Sequence, residues 1–389
     1  MTLAAAPRPE ALRAHYTRFL SRDRALLTGH SHQAWPDAAR DGLVASFDDA
    51  ALHVDDKWGR AFEAADAVRE AVAQRVGGSA RDVALASNTH ELVARFLSAL
   101  PLAAKRHLVT TAGEFHSIHR QLRRLAEEGV AVTFVDPHPA TTLAARLADA
   151  LRSDTAAVLA STVLFETSER VPGTRGLVDA ARAKGAEVLL DAYHAFNVVP
   201  IDPADTAGAF VTGGGYKYAQ WGEGVCFLRV PDGCDLRPAY TGWFADFAHL
   251  SDRRTDAPVS YGSDGADRFA GSTYDPASHY RARAVVGFFA DQGLTVPALR
   301  AVSLQQTDRI FEGLARAGWS AVTPRDPSLR GGFVSVRVGN GSELVEAMRG
   351  DAVYVDARGA LVRFGPAPYV TDDEIDRALV SFVRHARRP

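Results

Sequence analysis

Short apolar segments alternate with helical patterns along the middle of the chain. The apolar segments predict seven strands, at residues 82–86, 107–111, 130–135, 155–162, 187–191, 210–212 and 225–229. Residues at helical spacing follow several of them, as Leu92, Phe96 and Leu100 do after the first strand. Continuously apolar strands separated by helices of about 10–15 residues are typical of a parallel sheet covered on both faces. We therefore predict an α/β fold.

The pattern changes after Pro276. Helical patterns predominate from there on, at residues 278–292, 296–317, 342–349 and 372–387, around short strands near 331–338, Val353 and Val362. Strands and helices mixed in a segment of this size predict a smaller α+β domain. We therefore divide the chain into an N-terminal segment at 1–25 that packs on the small domain, a large domain at 26–275 and a small C-terminal domain at 276–389.

The composition narrows the class of protein. The chain has 389 residues, of which 47% are hydrophobic and 23% charged, and this is typical of a globular protein. Its 44 basic and 47 acidic residues leave a formal charge of −3, so nucleic acid is not an expected partner. The longest apolar stretch, Ala156 to Phe165, is much shorter than the ~20 residues that a membrane span needs. Arg8 and Glu10 interrupt any hydrophobic signal region, so we expect a cytoplasmic location without membrane contact.

Metal and disulfide chemistry are not expected. Cys226 and Cys234 are too few for a disulfide scaffold or a four-cysteine zinc site. His30 and His32 are close in sequence, but no nearby carboxylate or cysteine completes a set of metal ligands. Their role stays open between facing a substrate and packing in a loop.

Three segments carry candidate chemistry. Ser87-Asn88-Thr89 ends a parallel strand and begins a helix, where free N–H groups favour an anion, although a plain helix cap explains the same residues. Asp191 ends an apolar strand, with His194 three residues later, and such a carboxylate faces the ligand crevice of an α/β sheet. Lys217 follows three glycines at 213–215.

The glycine-rich segment fits neither of the common phosphate loops. Tyr218 occupies the position of the P-loop hydroxyl residue, and Gly222-Glu223-Gly224 leads into a strand instead of a helix. A lysine just after a strand end, 217 − 191 = 26 residues beyond an aspartate, suggests a Schiff-base lysine with a carboxylate for a pyridinium nitrogen.

These residues form a recognisable pattern, made of the motifs Asp191-x-x-His194, Tyr216-Lys217-Tyr218 with Gly222-x-Gly224, Thr241-Gly242-Trp243, and the late Arg363-Phe364-Gly365-Pro366-Ala367-Pro368. The pattern resembles the pyridoxal-phosphate (PLP) enzymes of fold type I. Within these it resembles the class V aminotransferase superfamily, and its kynureninase branch most closely, from about Val83 to the C-terminus. The resemblance implies a large domain with a mostly parallel seven-stranded sheet between helices and a smaller C-terminal α+β domain.

The resemblance also implies roles for individual residues. Lys217 would form a Schiff base with pyridoxal 5′-phosphate and later move the Cα proton of the substrate, while Asp191 would keep the ring nitrogen protonated. His194 would orient Asp191 or the ring hydroxyl, and Phe115 would stack on the pyridine face. The cofactor phosphate would be held by four residues, Ser87, Asn88, Thr89 and Tyr216.

Other implied roles involve substrate and subunits. Trp243 would belong to the cofactor site, and Thr273, in Gly271-Ser272-Thr273, would reach the phosphate bound by a second subunit. Each active site would then lie at the interface of a homodimer. Arg363 would bind the α-carboxylate of an amino-acid substrate as a planar two-pronged donor.

Two segments depart from the kynureninase pattern. Trp243 is followed by Phe244-Ala245-Asp246-Phe247, where kynureninases usually carry a histidine. Phe115-His116-Ser117-Ile118 stands where they have Phe-Pro-(Ser/Thr)-Asp, so an aliphatic residue replaces a carboxylate near the cofactor. His119 is a candidate to take over the role of that carboxylate. The cofactor is therefore better specified than the substrate.

We predict a PLP-dependent enzyme with kynureninase-like hydrolytic cleavage of the Cβ–Cγ bond as its reaction. The alternative is a class V aminotransferase, because the same residues serve both reactions and the pocket selects the outcome. Cysteine desulfuration is disfavoured because Cys226 lies in a strand pattern and Cys234 in the next turn. An inactive relative is disfavoured because Asp191, Lys217 and Arg363 occur together.

Overall fold

A computed structural model describes residues 8–253 and 256–389. The first seven residues of the segment predicted at 1–25 lie outside the described residues. The strands are β1 (Ala25–Leu26), β2 (Val83–Ala86), β3 (His107–Thr111), β4 (Ala131–Val135), β5 (Thr155–Ser161), β6 (Glu187–Asp191), β7 (Phe210–Gly214), β8 (Cys226–Arg229), β9 (Val334–Arg337), β10 (Val353–Tyr354), β11 (Asp356–Arg358) and β12 (Leu361–Phe364).

The α-helices connect and cover these strands. They are α1 (Pro9–Arg13), α2 (Asp37–His53), α3 (Lys57–Val76), α4 (Thr89–Ala99), α5 (His116–Glu127), α6 (Leu143–Asp149), α7 (Thr174–Ala183), α8 (Pro203–Thr206), α9 (Ala277–Asp291), α10 (Val296–Arg316), α11 (Gly341–Gly350) and α12 (Asp372–His385). No described helix combines the length and the hydrophobicity that crossing a membrane requires.

The large sheet has seven strands in the order β2-β8-β7-β6-β5-β3-β4. β8 runs antiparallel to both neighbours, and the other adjacent pairs are parallel. The predicted α/β fold with a mostly parallel seven-stranded sheet is therefore confirmed. The two central strands β5 and β6 explain the apolar runs in the sequence, because they are covered on both faces.

Side chains alternate between the two layers of helices along these central strands. Val158 and Val188 pack in one apolar cluster, together with residues of α6 and α7. The next residues along the same strands, Leu159 and Leu189, pack in the opposite cluster with residues of α4 and α5. Successive strand residues point to opposite faces of the sheet. Because both faces are buried, the strand sequence is continuously apolar and does not alternate between apolar and polar residues.

One predicted helix is shorter than the pattern suggested. The pattern in the sequence predicts a helix from Thr141 to Arg152, whereas α6 ends at Asp149. The backbone N–H of Arg152 donates to the Thr155 hydroxyl (2.8 Å) and turns the chain into β5. Such a side-chain hydrogen bond competes with continuation of the helix.

A smaller antiparallel sheet, in the order β11-β12-β9, lies in the C-terminal part of the chain. β1, from the N-terminal segment, pairs in parallel with β10. The domain division, with boundaries at 25 and 275 and an N-terminal segment packed on the small domain, stays a prediction.

Candidate active site

The candidate residues meet at the carboxyl edge of the large sheet. β2 ends before Ser87, β3 before Phe115, and β7 before Lys217, while Asp191 is the last residue of β6. Parallel strands end at the same edge, so residues far apart in sequence come together there. This edge is where an open α/β sheet binds its ligand.

Lys217 is the buried centre of the site. Its side chain is 6% exposed, and its Nζ lies 2.7 Å from His194 Nε2. Burial lowers the pKa of Lys217 to about 7, which the negative charge of Asp191 opposes and the positive charge of Arg363 reinforces. A large fraction of the amine is therefore unprotonated at neutral pH and able to attack a carbonyl.

Aromatic rings surround the Lys217 amine. Its Nζ lies 4.8 Å from the ring centre of Tyr193, 5.7 Å from that of Phe115 and 5.9 Å from that of Tyr216. Phe115 also packs edge-on against Phe165, with 5.5 Å between the ring centres. Phe115 therefore lies beside the lysine, and its stacking on a cofactor ring stays a prediction.

Asp191 is buried and interacts electrostatically with Lys217. Its Oδ1 accepts a hydrogen bond of 2.8 Å from the backbone N–H of Tyr193. Burial raises the pKa of Asp191, while the Tyr193 N–H and the positive charge of Lys217 oppose that shift. Such a carboxylate stays ionised in the interior only with a cationic partner, and a protonated ring nitrogen is one.

His194 contacts the lysine. The sequence predicted that it orients Asp191 or the ring hydroxyl, whereas the structure places its Nε2 on Lys217 and its ring against Phe333. Burial and the positive charge of Lys217 lower the pKa of His194 well below its usual value. The imidazole is therefore neutral and accepts a hydrogen bond from the lysine, and its buried Nδ1 has no partner among the described residues.

The predicted phosphate residues differ in what they do. Asn88 caps α4 by accepting a hydrogen bond of 2.9 Å from the backbone N–H of Glu91, and Ser87 is exposed. Thr89, by contrast, is 8% exposed, and no hydrogen bond to its Oγ1 is found in the described residues. A buried hydroxyl without a partner at a helix N-terminus is suited to an anionic ligand.

Trp243 and Thr273 are not among the described contacts of Lys217. The Trp243 ring is 42% exposed, stacks on Phe244 at 4.2 Å and donates from Nε1 to the Ser272 hydroxyl (2.9 Å). It is not one of the three rings around Lys217. Thr273 and Ser87 both line an open cavity of about 1200 Å³.

Arg363 is held by a neighbouring carboxylate. Its Nε and Nη2 donate to Asp356 at 2.8 and 2.5 Å, and its Nη1 donates to the carbonyl oxygen of Phe165 at 2.5 Å. Asp356 also receives hydrogen bonds of 2.8 Å from His30 Nε2 and from the Ser31 hydroxyl. A guanidinium has five N–H groups, so one on Nη1 and one on Nη2 remain for another acceptor.

His30 and His32, whose roles the sequence left undecided, have different environments in the N-terminal loop. His30 is fully buried on Asp356, and burial with the nearby positive charge of Arg363 lowers its pKa to about 4. His32 is exposed and stacks on Tyr216, with 5.1 Å between ring centres. In residues 8–253 and 256–389 no cluster of three or more potential metal ligands occurs.

Sequence reasoning missed a second buried carboxyl group, Glu114. Its two oxygens accept hydrogen bonds from the Ser161 N–H (2.8 Å) and hydroxyl (2.7 Å). Burial, reinforced by the negative charge of Asp191, raises the pKa of Glu114 to about 8. The position of Glu114, between the end of β3 and Phe115, was the sequence feature that could have indicated it. His119, considered as a compensating residue, packs instead on Phe134.

Known proteins similar to this chain include kynureninases and an epimerase. Residues 299–382 match the family described as the kynureninase C-terminal domain. The isopenicillin N epimerase of Streptomyces clavuligerus is 28% identical over 336 residues, 79% of this chain and 81% of that protein. A kynureninase of Deinococcus radiodurans is 27% identical over 344 residues, 84% of this chain and 81% of that protein.

Solved structures show the same fold. A C-DES mutant with glycine covalently linked to its PLP cofactor has a TM-score of 0.84 at 17% identity, over 95% of this chain and 98% of that one. A cysteine desulfurase of Thermococcus onnurineus NA1 has a TM-score of 0.79 at 18% identity, over 98% and 99%.

The fold and the relatives define this chain as a PLP-dependent enzyme of fold type I. Within that class its resemblance to the class V superfamily, and to kynureninases in particular, is confirmed by the matched C-terminal segment and the curated relatives. The particular reaction is a separate question, because the curated relatives include both kynureninases and an epimerase.

We expect Glu114 to make folding stability depend on pH. Its folded pKa is raised, so the stabilisation that the neutral acid provides is complete below the unfolded value of 4.5 and is lost as the pH rises toward 8. Glu114→Gln, which stays neutral, should therefore gain stability relative to the unmodified protein between pH 5 and pH 9. The gain should reach a few kcal/mol at most, since one pKa unit is worth about 1.4 kcal/mol.

Urea unfolding of both proteins at the two pH values measures this difference. The exposed Glu127, changed to Gln, is the matched control and should show no such trend. A Glu114→Gln effect that is the same at pH 5 and pH 9 would show that the carboxyl group is ionised throughout.

Proposed function

We propose that this chain is a kynureninase-like hydrolase that cleaves the Cβ–Cγ bond of an amino acid with a carbonyl group at Cγ. The observation that carries the proposal is the buried Lys217 amine with the Asp191 carboxylate, at the ends of adjacent strands. The kynureninase-like C-terminal segment, which contains Arg363, favours this reaction over others of the class.

The residues present fit pyridoxal 5′-phosphate. Lys217 supplies the amine, Asp191 a carboxylate for the ring nitrogen, and Phe115 an aromatic face. The unpaired Thr89 hydroxyl at the N-terminus of α4 fits the phosphate, with Tyr216 beside the lysine. When bound, this cofactor supplies an aldehyde for the lysine and a ring that accepts electrons from the substrate.

The chain's own residues then bind the substrate and move its protons. The Lys217 amine, with a pKa of about 7, can both accept a proton from a substrate Cα and return it. His194 holds the amine in place by accepting its hydrogen bond. The aromatic rings around the lysine exclude water, which strengthens the interaction between Asp191 and a protonated ring nitrogen.

The substrate carboxylate is assigned to Arg363. Asp356 fixes the guanidinium from one edge, and the N–H groups that remain on Nη1 and Nη2 can donate to the carboxylate. Since Asp356 is itself held by His30 and Ser31, the arginine is positioned before the substrate arrives.

Other reactions have less support. Cysteine desulfuration needs a reactive thiolate, but burial raises the pKa of both thiols, that of Cys234 to about 11. Amino transfer uses the same lysine and aspartate and stays the second candidate. The buried placement of Lys217, Asp191 and Arg363 around one site argues against an inactive relative.

Incubation of the purified protein with kynurenine tests the reaction. We expect the release of anthranilate and alanine, without a keto-acid acceptor and with the visible absorbance of the lysine-bound cofactor restored. Lys217→Ala should abolish both the absorbance and the products, because no other described lysine lies in the site.

Product mass and chirality separate the competing reactions. Loss of the visible band with one equivalent of keto acid would establish transamination instead. Recovery of substrate with inverted configuration would establish epimerisation, the activity named for one relative. If no amino acid of a broad panel is cleaved between Cβ and Cγ, hydrolysis is excluded.

Substitutions at the carboxylate site should affect substrate binding. Arg363→Lys removes the two-pronged donor, and Asp356→Ala frees the guanidinium, so we expect KM to rise about 10- to 100-fold in each with smaller changes in kcat. Steady-state kinetics measures both constants. The exposed Arg337 of the paired strand β9, changed to Lys, is the control. An unchanged KM in Arg363→Lys would remove this residue from the substrate site.

We also propose that the enzyme is a cytoplasmic homodimer with its active sites at the interface. Val44, Phe47, Leu52 and Val54, in α2 and just after it, are 44–75% exposed. Leu43 and Phe247 border the same cavity as Thr273 and Ser87, two of the predicted phosphate residues, whereas Lys217 and Asp191 do not line it. An exposed apolar surface beside this cavity is well suited to a second copy of the chain.

Phe47→Asp together with Leu52→Asp should convert the dimer to a monomer and release the cofactor, because both carboxylates would be buried in the interface. Sedimentation and cofactor absorbance measure the two effects. Val380→Asp, at the exposed face of α12, should leave both unchanged. Sedimentation of the unmodified protein at 41.8 kDa at all concentrations would contradict the dimer.

A further inference from the structure

Among the Phe and Tyr rings around the Lys217 amine, that of Tyr193 is the nearest. Its ring centre lies 4.8 Å from Nζ, nearer than the predicted stacking residue Phe115 at 5.7 Å. Its backbone N–H also holds Asp191, at 2.8 Å. In sequence, Tyr193 lies between Asp191 and His194, at a position that the motif Asp191-x-x-His194 does not specify.

The Tyr193 ring occupies the space of a side chain that position 214 does not have. A Cβ built on Gly214 would overlap the Tyr193 hydroxyl and ring and would lie 2.9 Å from Cys226 Sγ. Gly214 is not among the described glycines with positive φ, so the backbone does not require glycine there. The glycine is required by the bulk of Tyr193, and the two positions form a matched pair.

The Tyr193 hydroxyl points into the region of the predicted phosphate residues. It lies 3.2 Å from Cys226 Sγ, on β8 directly across from Gly214. The Thr89 side chain opposes the rise that burial causes in the pKa of the Tyr193 phenol, so the two hydroxyl groups are neighbours. The buried Thr89 Oγ1 makes no hydrogen bond of ordinary geometry within the described residues. Two hydroxyl groups therefore lie together next to the N-terminus of α4, where an anion is favoured.

We infer that Tyr193 is a positioning residue for the cofactor: its ring forms a wall of the cofactor site, and its hydroxyl donates to the phosphate in place of a side chain at position 214. This inference rests on the binding of PLP at Lys217. It adds a phosphate donor on the loop after β6 to the helix N-terminus after β2. A phenol is suited to this role because its ring packs on an aromatic ligand while its O–H reaches a polar group.

Comparison of two ligands separates the hydroxyl from the ring. Tyr193→Phe should weaken binding of pyridoxal 5′-phosphate about 10-fold, as expected for a lost hydrogen bond to a charged group. Binding of pyridoxal, which lacks the phosphate, should be unchanged. Dissociation constants from cofactor absorbance on the resolved protein give both values. Equal affinities of the variant and the unmodified protein for PLP, or equal losses for both ligands, would overturn the phosphate role.

An exchange of bulk between the two positions tests the matched pair. In a Cys226→Ala background, which removes the Sγ contact of the added Cβ, Gly214→Ser should displace Tyr193 and weaken cofactor binding. The same change in a background of Cys226→Ala with Tyr193→Ala should strengthen binding, because the serine then has room and offers a hydroxyl. Gly59→Ser, where nothing lies within 4 Å of the added Cβ, controls for a serine at an open position. Equal effects of Gly214→Ser in the two backgrounds would refute the pairing.

Thermal unfolding of each variant shows whether it is folded when cofactor binding is measured.

Lys217→Ala distinguishes this inference from the proposed function. Retention of the visible absorbance in Lys217→Ala would contradict cofactor attachment and both proposals with it. Loss of that absorbance, combined with unaltered phosphate discrimination in Tyr193→Phe, would remove the Tyr193 role alone.

Discussion

The buried charges of Lys217 and Asp191 constrain the rest of this structure. An isolated charge in a protein interior costs several kcal/mol, and each of these two groups lowers that cost for the other. They can do so because β6 and β7 are adjacent and parallel, which brings the end of one strand and the loop after the other to the same edge. The apolar strands beside them and the rings of Phe115 and Tyr193 keep water away, so that the amine titrates near neutral pH.

A second network connects two distant parts of the chain at this edge. Asp356 accepts hydrogen bonds from Arg363 of the small sheet and from His30 and Ser31 of the N-terminal loop. Although burial opposes it, these partners lower the pKa of Asp356 far below its usual value, so the carboxylate stays charged. The pairing of β1 with β10 brings the N-terminal loop to this position. The proposed substrate side of the site is thus assembled by the small sheet, and the proposed cofactor side by the large one.

Much of the fold followed from the apolar pattern, because strands buried on both faces leave a strong signal. β3 and β6 have the predicted bounds, and the helix around Leu92 occurs as expected. Lys217 and Asp191 were also predicted from sequence, because each lies at the end of a predicted strand within a motif of characteristic residues. Glu114 was missed because its environment depends on Ser161, a residue 47 positions away on another strand. The contact of His194 with Lys217 likewise depends on the loops after two strands.

The sequence by itself determined the alternation of strands and helices, the residues at the strand ends and the class of chemistry, because these depend on local periodicity and on residue type. Only the tertiary structure decided which polar groups share a partner, as Arg363, His30 and Ser31 share Asp356. It also decided that the phenol of Tyr193 fills the space beside Gly214. The physical reason is that hydrogen bonding and exclusion of volume act between atoms that are adjacent in space, whatever their separation along the chain.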